Sequence, residues 1–465
     1  MKFFRRAVLS CLSSAALVVS VTQAASAPAT TPPNVLFLLS DDQRFDTINA
    51  LGNAEILTPN LDRLVHRGFA FTHAFIMGSG QPAVCVPSRA MLMTGRTLFR
   101  ATATFTSGTI PAALPLWPEV MRQAGYDSFI IGKWHNDRAS LARAFNGGGA
   151  IFLSGMADHA KLPVYDFDPT RAYAKTNERI ATKFSSELFA DAAIEFLRER
   201  KTEKPFFLYV AFTAPHDPRT PPKEFASLYP PEKIRLPKSF LREHPFDNGE
   251  MRVRDEQLLP WPRTPEAVRK EIASYYAMIT DLDAQIGRIL EALEKSGRGT
   301  NTIIVFASDN GLAVGRHGLL GKQNLYEHSV RVPLVLAGPG IPKGKRSDAL
   351  CYLFDLFPTV CELTGVPVPA TVEGKSLVPV LRGQQKKVRN EVFGAYRDVQ
   401  RMVREEEWKL IYYPKIERWQ LFDVRHDPGE LNDRSADAKQ VARLAAMKEN
   451  LSAQQKELGD PLAKP

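Results

Sequence analysis

The stretch "NVLFLLSDDQ" (residues 34–43) runs from an unbroken apolar core, Val35 to Leu39, straight into Ser40, Asp41 and Asp42. A short, continuous apolar run of this kind is the pattern of a strand buried on both faces, as in a parallel sheet. The theme recurs. "DSFII" leads into Gly132, Lys133, Trp134 and His135, "PFFLYVAF" into Thr213, Ala214, Pro215, His216 and Asp217, and "NTIIVFA" into Ser308, Asp309, Asn310 and Gly311. Helical patterns separate these runs. Thr58-Pro59 reads as an N-cap and first-turn proline, with Leu61, Leu64 and Val65 on one face. A longer helix is expected from about Pro265, with Ile272, Tyr275, Ile279, Leu282, Ile286, Ile289 and Leu293 at helical spacing, ending near Gly297. Strands alternating with helices predict an α/β fold: a large, mixed but mostly parallel sheet sandwiched by helices. In such sheets ligands bind outside the carboxyl ends of the strands, where all four polar clusters fall.

The acidic clusters point to a metal. Asp41, Asp42, Asp309 and the amide oxygen of Asn310 are hard oxygen donors, suited to Ca²⁺, with Mg²⁺ as the alternative. No histidine or thiolate spacing suited to zinc appears among them. A turn plus a helix cap would explain either acidic pair alone, but not both.

Composition bounds the rest. With 465 residues, 44% apolar and 24% charged, the chain can form one large domain and a smaller one. Residues 1–27 have Lys2, Arg5 and Arg6 before an apolar run and then small residues, the pattern of a cleaved signal peptide. The apolar run is short and broken by serines, so stable membrane insertion is not expected. The Arg5-Arg6 pair leaves the general and the twin-arginine export routes both open. Loss of the leader takes the net charge from +9 to about +6. That mild excess is spread along the chain without a basic block, so nucleic-acid binding is not expected. It would suit an anionic substrate.

Three cysteines then remain, too few for a disulfide-built exported protein. Cys351 and Cys361 lie in the apolar, helix-like "CYLFDLFPTVCEL" and are expected to be buried and inert, a local disulfide being the rival reading. Cys85, in "QPAVCVPSRAMLMTGR" (residues 81–96), is left without a partner. A cysteine peptidase would want a histidine and a glycine-rich surround, and a cysteine phosphatase an arginine six positions on. Here Arg89 stands at plus four and Pro87 removes an amide.

"CVPSR" (residues 85–89) with "MTGR" (residues 93–96) resembles the signature of the type I sulfatase family, within the alkaline phosphatase superfamily. The resemblance continues through "TPNLDRL", "GKWH", "TAPHDP", "SDNG", "GRHGLLGKQNLYEHSVRVPLVLAGPG" and "LFDVRHDPGELND", in the family's order. It implies that Cys85 is oxidised to Cα-formylglycine by a sulfatase-maturing enzyme that reads Pro87 and Arg89 in the unfolded chain. It further implies that Asp41, Asp42, Asp309, Asn310 and residue 85 hold one Ca²⁺. The expected nucleophile is one hydroxyl of the hydrated aldehyde, the other later expelling sulfate. Arg89, Lys133 and Lys322 would neutralise the sulfuryl oxygens, His216 with Lys322 would protonate the leaving oxygen, and His135 would act as base.

The resemblance also implies a catalytic domain at 28–344 and a C-terminal subdomain of antiparallel strands at 345–465. The segment from Asp217 to Arg263, rich in Pro, Lys, Arg and Glu, is expected beside the pocket. His317 is a candidate pocket residue and His328 a weaker one; Tyr396, Arg397, Asp398 and Arg401 are candidates for holding a sugar. His66, His73, His159, His244 and His426 are read as structural or exposed. The expected substrate is a sulfated glycan or another small sulfate ester, acted on in the periplasm or outside the cell. A phosphonate or phosphate monoester hydrolase, a choline sulfatase and a silent glycan-binding protein remain as alternatives.

Overall fold

The computed structural model describes Met1 and residues 31–463, so the leader expected at 1–27 lies outside the described residues. Residues 32 onward form one compact unit. Its centre is an eight-stranded sheet in the order Lys345–Ser347, Phe69–Phe71, Leu334–Ala337, Thr302–Ser308, Asn34–Ser40, Phe206–Ala211, Asp127–Lys133 and Gly147–Phe152. The four apolar runs identified from the sequence are the four central neighbours, and all pair in parallel. Leu334–Ala337 runs antiparallel to Thr302–Ser308, which makes the sheet mixed.

Side chains of Asn34–Ser40 alternate between two cores. Val35, Phe37 and Leu39 join the cluster with Trp117 and Phe357, while Leu36 and Leu38 meet Met278, Leu282 and Ile286 of the long helix Pro265–Lys295. Both faces are therefore covered, which explains why the strand has no polar alternation. The shorter helix Pro59–Arg67 forms where expected, but Thr58 does not cap it with its side chain. Its hydroxyl instead accepts from Asn49 N at 2.9 Å and donates to Asp62 at 3.1 Å. The cap comes from the long helix: Asp283 accepts from Asn60 N at 3.1 Å and Leu61 N at 2.7 Å.

A second sheet is an antiparallel meander of Glu391–Tyr396, Gln400–Glu405, Trp408–Tyr413 and Arg418–Asp423, followed by the helix Val441–Leu458. Its fifth strand comes from far away in sequence: Gly78–Ser79 pairs in parallel with Ala395–Tyr396. Gly78 has φ +90°, and a Cβ there would lie 2.0 Å from the Ala395 carbonyl oxygen, so only glycine fits. The small sheet begins at Glu391 rather than near 345. Lys345–Ser347 extends the large sheet, and Cys351–Tyr352 pairs with Ala74–Phe75. A local reading of the pattern could not see those long-range pairings. It also placed Cys351 in a helix, whereas Cys351 is on a strand and Cys361 on the helix Leu356–Thr364; both are buried and free. No helix among the described residues is long and apolar enough to cross a membrane.

The meander is pinned to the end of the chain. Arg401, expected as a sugar contact, is buried and donates to both Asp460 oxygens, at 2.5 and 2.8 Å. Removing one member of a buried, hydrogen-bonded ion pair costs roughly 3–5 kcal/mol. Asp460→Asn is expected to lower the unfolding free energy measured in urea by that order, and an unchanged midpoint would show that the pair does not hold the subdomain.

Candidate active site

Asn34–Ser40 and Thr302–Ser308 pair residue for residue up to Ser40 opposite Ser308, so the two acidic pairs leave the sheet side by side. The Asp42 amide donates to Asp309 Oδ1 at 3.2 Å, and Asn310 Nδ2 donates to Asp42 Oδ1 at 2.7 Å. Asp127–Lys133 and Phe206–Ala211 deliver Lys133, His135 and His216 to the same edge. Asp42 and His135 both have φ +68°, a left-handed backbone that costs non-glycine residues on the order of 1–3 kcal/mol and clusters at functional sites.

Cys85 opens the fully buried helix Cys85–Thr94. Its Sγ lies 3.1 Å from His135 Nδ1 and 3.8 Å from Lys133 Nζ. Arg89 stands one helical turn on, and residues four apart share a helix face. Its guanidinium donates to Asp309 Oδ2 at 2.9 Å, to the Lys133 carbonyl at 2.8 Å and to Asp41 Oδ2 at 3.4 Å. Lys133 Nζ donates to the same Asp41 Oδ2 at 2.5 Å, and Lys322 Nζ to Asp42 Oδ1 at 2.6 Å. The structure thus brings together all the residues the sequence assigned to metal and chemistry.

Three oxygens in this buried cluster have no hydrogen-bond partner: Asp41 Oδ1, Asp42 Oδ2 and Asn310 Oδ1. Ligand atoms of Asp41, Cys85 and Asp309 lie within 4.8 Å of one another, as do those of Asp41, Asp42 and His216. Buried, unpartnered carboxylate and amide oxygens are the donor set of a hard divalent cation, so the residues fit Ca²⁺ or Mg²⁺.

Charge reinforces this. Burial raises the pKa of Asp42 to about 6 against the pull of Lys322, and burial with the Asp41 charge raises Asp309 likewise to about 6. Asp41 differs: burial opposes its charge, but Lys133, His216, Arg89 and Lys322 hold it well below the usual carboxylate range. Burial lowers His216 to about 4, and burial with the Lys133 charge puts His135 well below its ordinary value. Lys322 is pushed well above the lysine range, burial notwithstanding, by Asp42 and its neighbours.

The site opens into a cavity of about 270 Å³ walled by Cys85, His135, His216 and Lys322 at its base and by Met156, Arg254, Asp255 and Gln323 beyond. Sequence reasoning missed these last four by number, although Arg254 and Asp255 come from the excursion expected beside the pocket. Gln323 follows Lys322 directly, the one local signal available for it. His317 does not line the cavity. It stacks on Tyr326 at 4.1 Å and its ring donates to the Glu430 carbonyl, so it packs the small sheet against the large body. His328 is also buried, beside Ser329. Arg397 pairs with Glu250 and Asp398 with Lys415, both outside the cavity. His159, read as structural or exposed, is buried and donates through Nε2 to the His216 carbonyl at 3.0 Å.

Buried hard-oxygen donors, fixed cations and a residue poised above them define a hydrolase for anionic esters. The sulfatase family model matches residues 33–366, and a model described as N-sulphoglucosamine sulphohydrolase, C-terminal, matches 315–457. An N-acetylglucosamine-6-O-sulfatase of Bacteroides thetaiotaomicron is 28% identical over 92% of this chain and 87% of its own. A sulfatase of Formosa agariphila is 30% identical over 90% and 85% respectively. A protein solved with its substrate D-glucosamine-2-N,6-O-disulfate superposes with a TM-score of 0.77 at 25% identity, covering 93% of this chain and 99% of its own. The chain belongs to the sulfatase family of the alkaline phosphatase superfamily and is a sulfuric ester hydrolase.

Asp42 and Asp309, with folded-state pKa values above the ordinary 3.8, contribute stability that is full below pH 3.8 and lost as pH rises through about 6. A bound cation replaces those protons, so its stabilising effect grows over the same window. Adding CaCl₂ to metal-stripped protein is expected to raise Tm markedly at pH 7.5 and little at pH 5. At about one hundred times Kd the gain is about 2.7 kcal/mol. An equal shift at both pH values would exclude these carboxylates as the ligands.

Proposed function

We propose that this enzyme is an exported sulfatase that hydrolyses sulfate monoesters of carbohydrates, using Cα-formylglycine formed from Cys85 and a bound Ca²⁺, with Mg²⁺ as the alternative. The observation that carries this reading is the state of Cys85. Burial raises its thiol to about 11 against the pull of Lys133 and Lys322, so an unmodified side chain would be protonated at neutral pH. An inert thiol in that place makes sense as the precursor of something else. Converted to the aldehyde and hydrated, residue 85 would supply the nucleophile, and the cation would activate it.

The remaining roles fall to this chain's own groups. Asp41, Asp42, Asp309 and Asn310 hold the cation. Arg89 and Lys133 fix the carboxylates from behind and balance negative charge around the sulfuryl group. His135, neutral and 3.1 Å from the residue 85 side chain, accepts a proton there. At the opposite wall Lys322 holds its proton at neutral pH. His216 Nδ1 donates to the Asp217 carbonyl at 2.8 Å, so at neutral pH its Nε2 carries no proton; Lys322 supplies the proton for the leaving oxygen, and His216 relays it.

The carbohydrate assignment is supported by the names of the relatives, several of which act on sulfated sugars. Export rests on the leader pattern at 1–27, and conversion of Cys85 requires a maturing enzyme in the producing cell. The active protein is expected to yield a residue 85 peptide about 18 Da lighter than the cysteine form. Cys85→Ala should abolish turnover of 4-nitrophenyl sulfate, and His216→Ala should reduce kcat about 10²–10⁴-fold. Full activity with an intact thiol would sink the proposal. Faster turnover of phosphate or phosphonate esters than of sulfate esters would reassign the substrate.

A further inference from the structure

Every cation lining the cavity is already engaged. Lys322 is held by Asp42 at 2.6 Å. Arg254 donates to both oxygens of Asp217, at 2.7 and 2.9 Å, and to Asp255 at 2.5 Å. Two carboxylates thus share one guanidinium, and both are held charged at neutral pH. Although burial opposes them, the cations win: Arg254 helps bring Asp217 to about 2, and Lys322 and Arg254 lower Asp255. The rest of this wall is neutral. Met156 is apolar, and the Gln323 amide is used up by Asp255, the Pro82 carbonyl and the Lys322 amide. Past the strap Met251–Arg254, a second cavity of about 510 Å³ presents Glu243 and Asp247, with Glu250 paired to Arg397 and Arg252 as its one lining cation among the described residues.

The cleft is therefore bipolar. Its base holds Lys322, with Arg89 and Lys133 buried behind the acidic cluster that would hold a divalent cation. Its mouth carries a net negative charge and leads toward further carboxylates. Resting on the sulfatase reading above, we propose that this enzyme selects a singly sulfated sugar carrying no other anionic group, with Asp217 and Asp255 rejecting a second anion beside the scissile ester. An N-sulfate or a uronate carboxylate at the mouth would meet like charge without a free donor to receive it. A hydroxyl, an N-acetyl group or a protonated amine would be accepted. The cavity volume suits one such sugar at a time, lying below the roughly 300–1,000 Å³ of sites for larger ligands.

The test uses the converted, Ca²⁺-loaded enzyme with 4-nitrophenyl sulfate as reporter, whose turnover by itself checks the sulfatase reading. Competitors are glucosamine 6-sulfate and glucosamine-2-N,6-O-disulfate, with the mono- and disulfated forms of galactose as a second pair. The monosulfate of at least one sugar is expected to bind roughly tenfold more tightly than its disulfated partner. The gap should narrow in Asp255→Asn, which removes one of two buried charges that salt screens little. Equal or tighter binding of the disulfates, or competition by none of the four while the reporter is turned over, would overturn the inference. The wild-type comparison stands whether or not the variant folds.

Discussion

The one-to-one parallel register between Asn34–Ser40 and Thr302–Ser308 is the constraint from which the site follows. It forces Asp41-Asp42 and Asp309-Asn310 into the same buried volume, where like charges would repel strongly in the low local dielectric. Everything nearby answers that problem. Arg89 and Lys133 converge on Asp41, Lys322 on Asp42, and Arg89 again on Asp309. Three cations balance three carboxylates, and Asp41 Oδ1, Asp42 Oδ2 and Asn310 Oδ1 are left without hydrogen-bond partners. Chemistry on a sulfate ester is then a use of the field that the sheet's register made necessary.

Much of this was legible in the chain because parallel strands are short, apolar and end abruptly in their polar cargo. "NVLFLL" and "NTIIVFA" announced both the sheet and the side chains at its carboxyl edge. The long helix Pro265–Lys295 was legible for the same reason, since one apolar stripe repeats across its length. What failed were statements needing a partner far away in sequence. Thr58 has the chemistry of a cap, but Asp283, over two hundred residues later, takes that role. Lys345–Ser347 carries no apolar pattern because it pairs at the sheet's edge with its side chains largely exposed. His317 and Arg401 look like pocket residues by type, yet each is committed to a distant backbone or carboxylate. Arg254 and Asp255 sit in a segment without periodicity, so nothing local could single them out.

The histidines show how residue type alone misleads. His159 and His317 are both buried beside functional segments, and each spends a ring nitrogen on a backbone carbonyl. For His159 that carbonyl belongs to His216, so it steadies a residue of the site without reaching the cavity. For His317 the same device serves the joint between the two sheets. Hydrogen-bond partners, which only folding reveals, separate the two roles.

The strand Gly78–Ser79 gives the molecule an unusual line of dependence. Gly78 pairs with Ala395, Ala395 with Arg401, and Arg401 is neutralised by Asp460, only a few residues from the end of the chain. The first turn carrying Cys85 follows Gly78 by seven residues. Residues as far apart as Gly78 and Asp460 must therefore both be in place before the scaffold around position 85 can close. Loss of Asp460 would be felt far away in sequence, in the setting of the reactive centre.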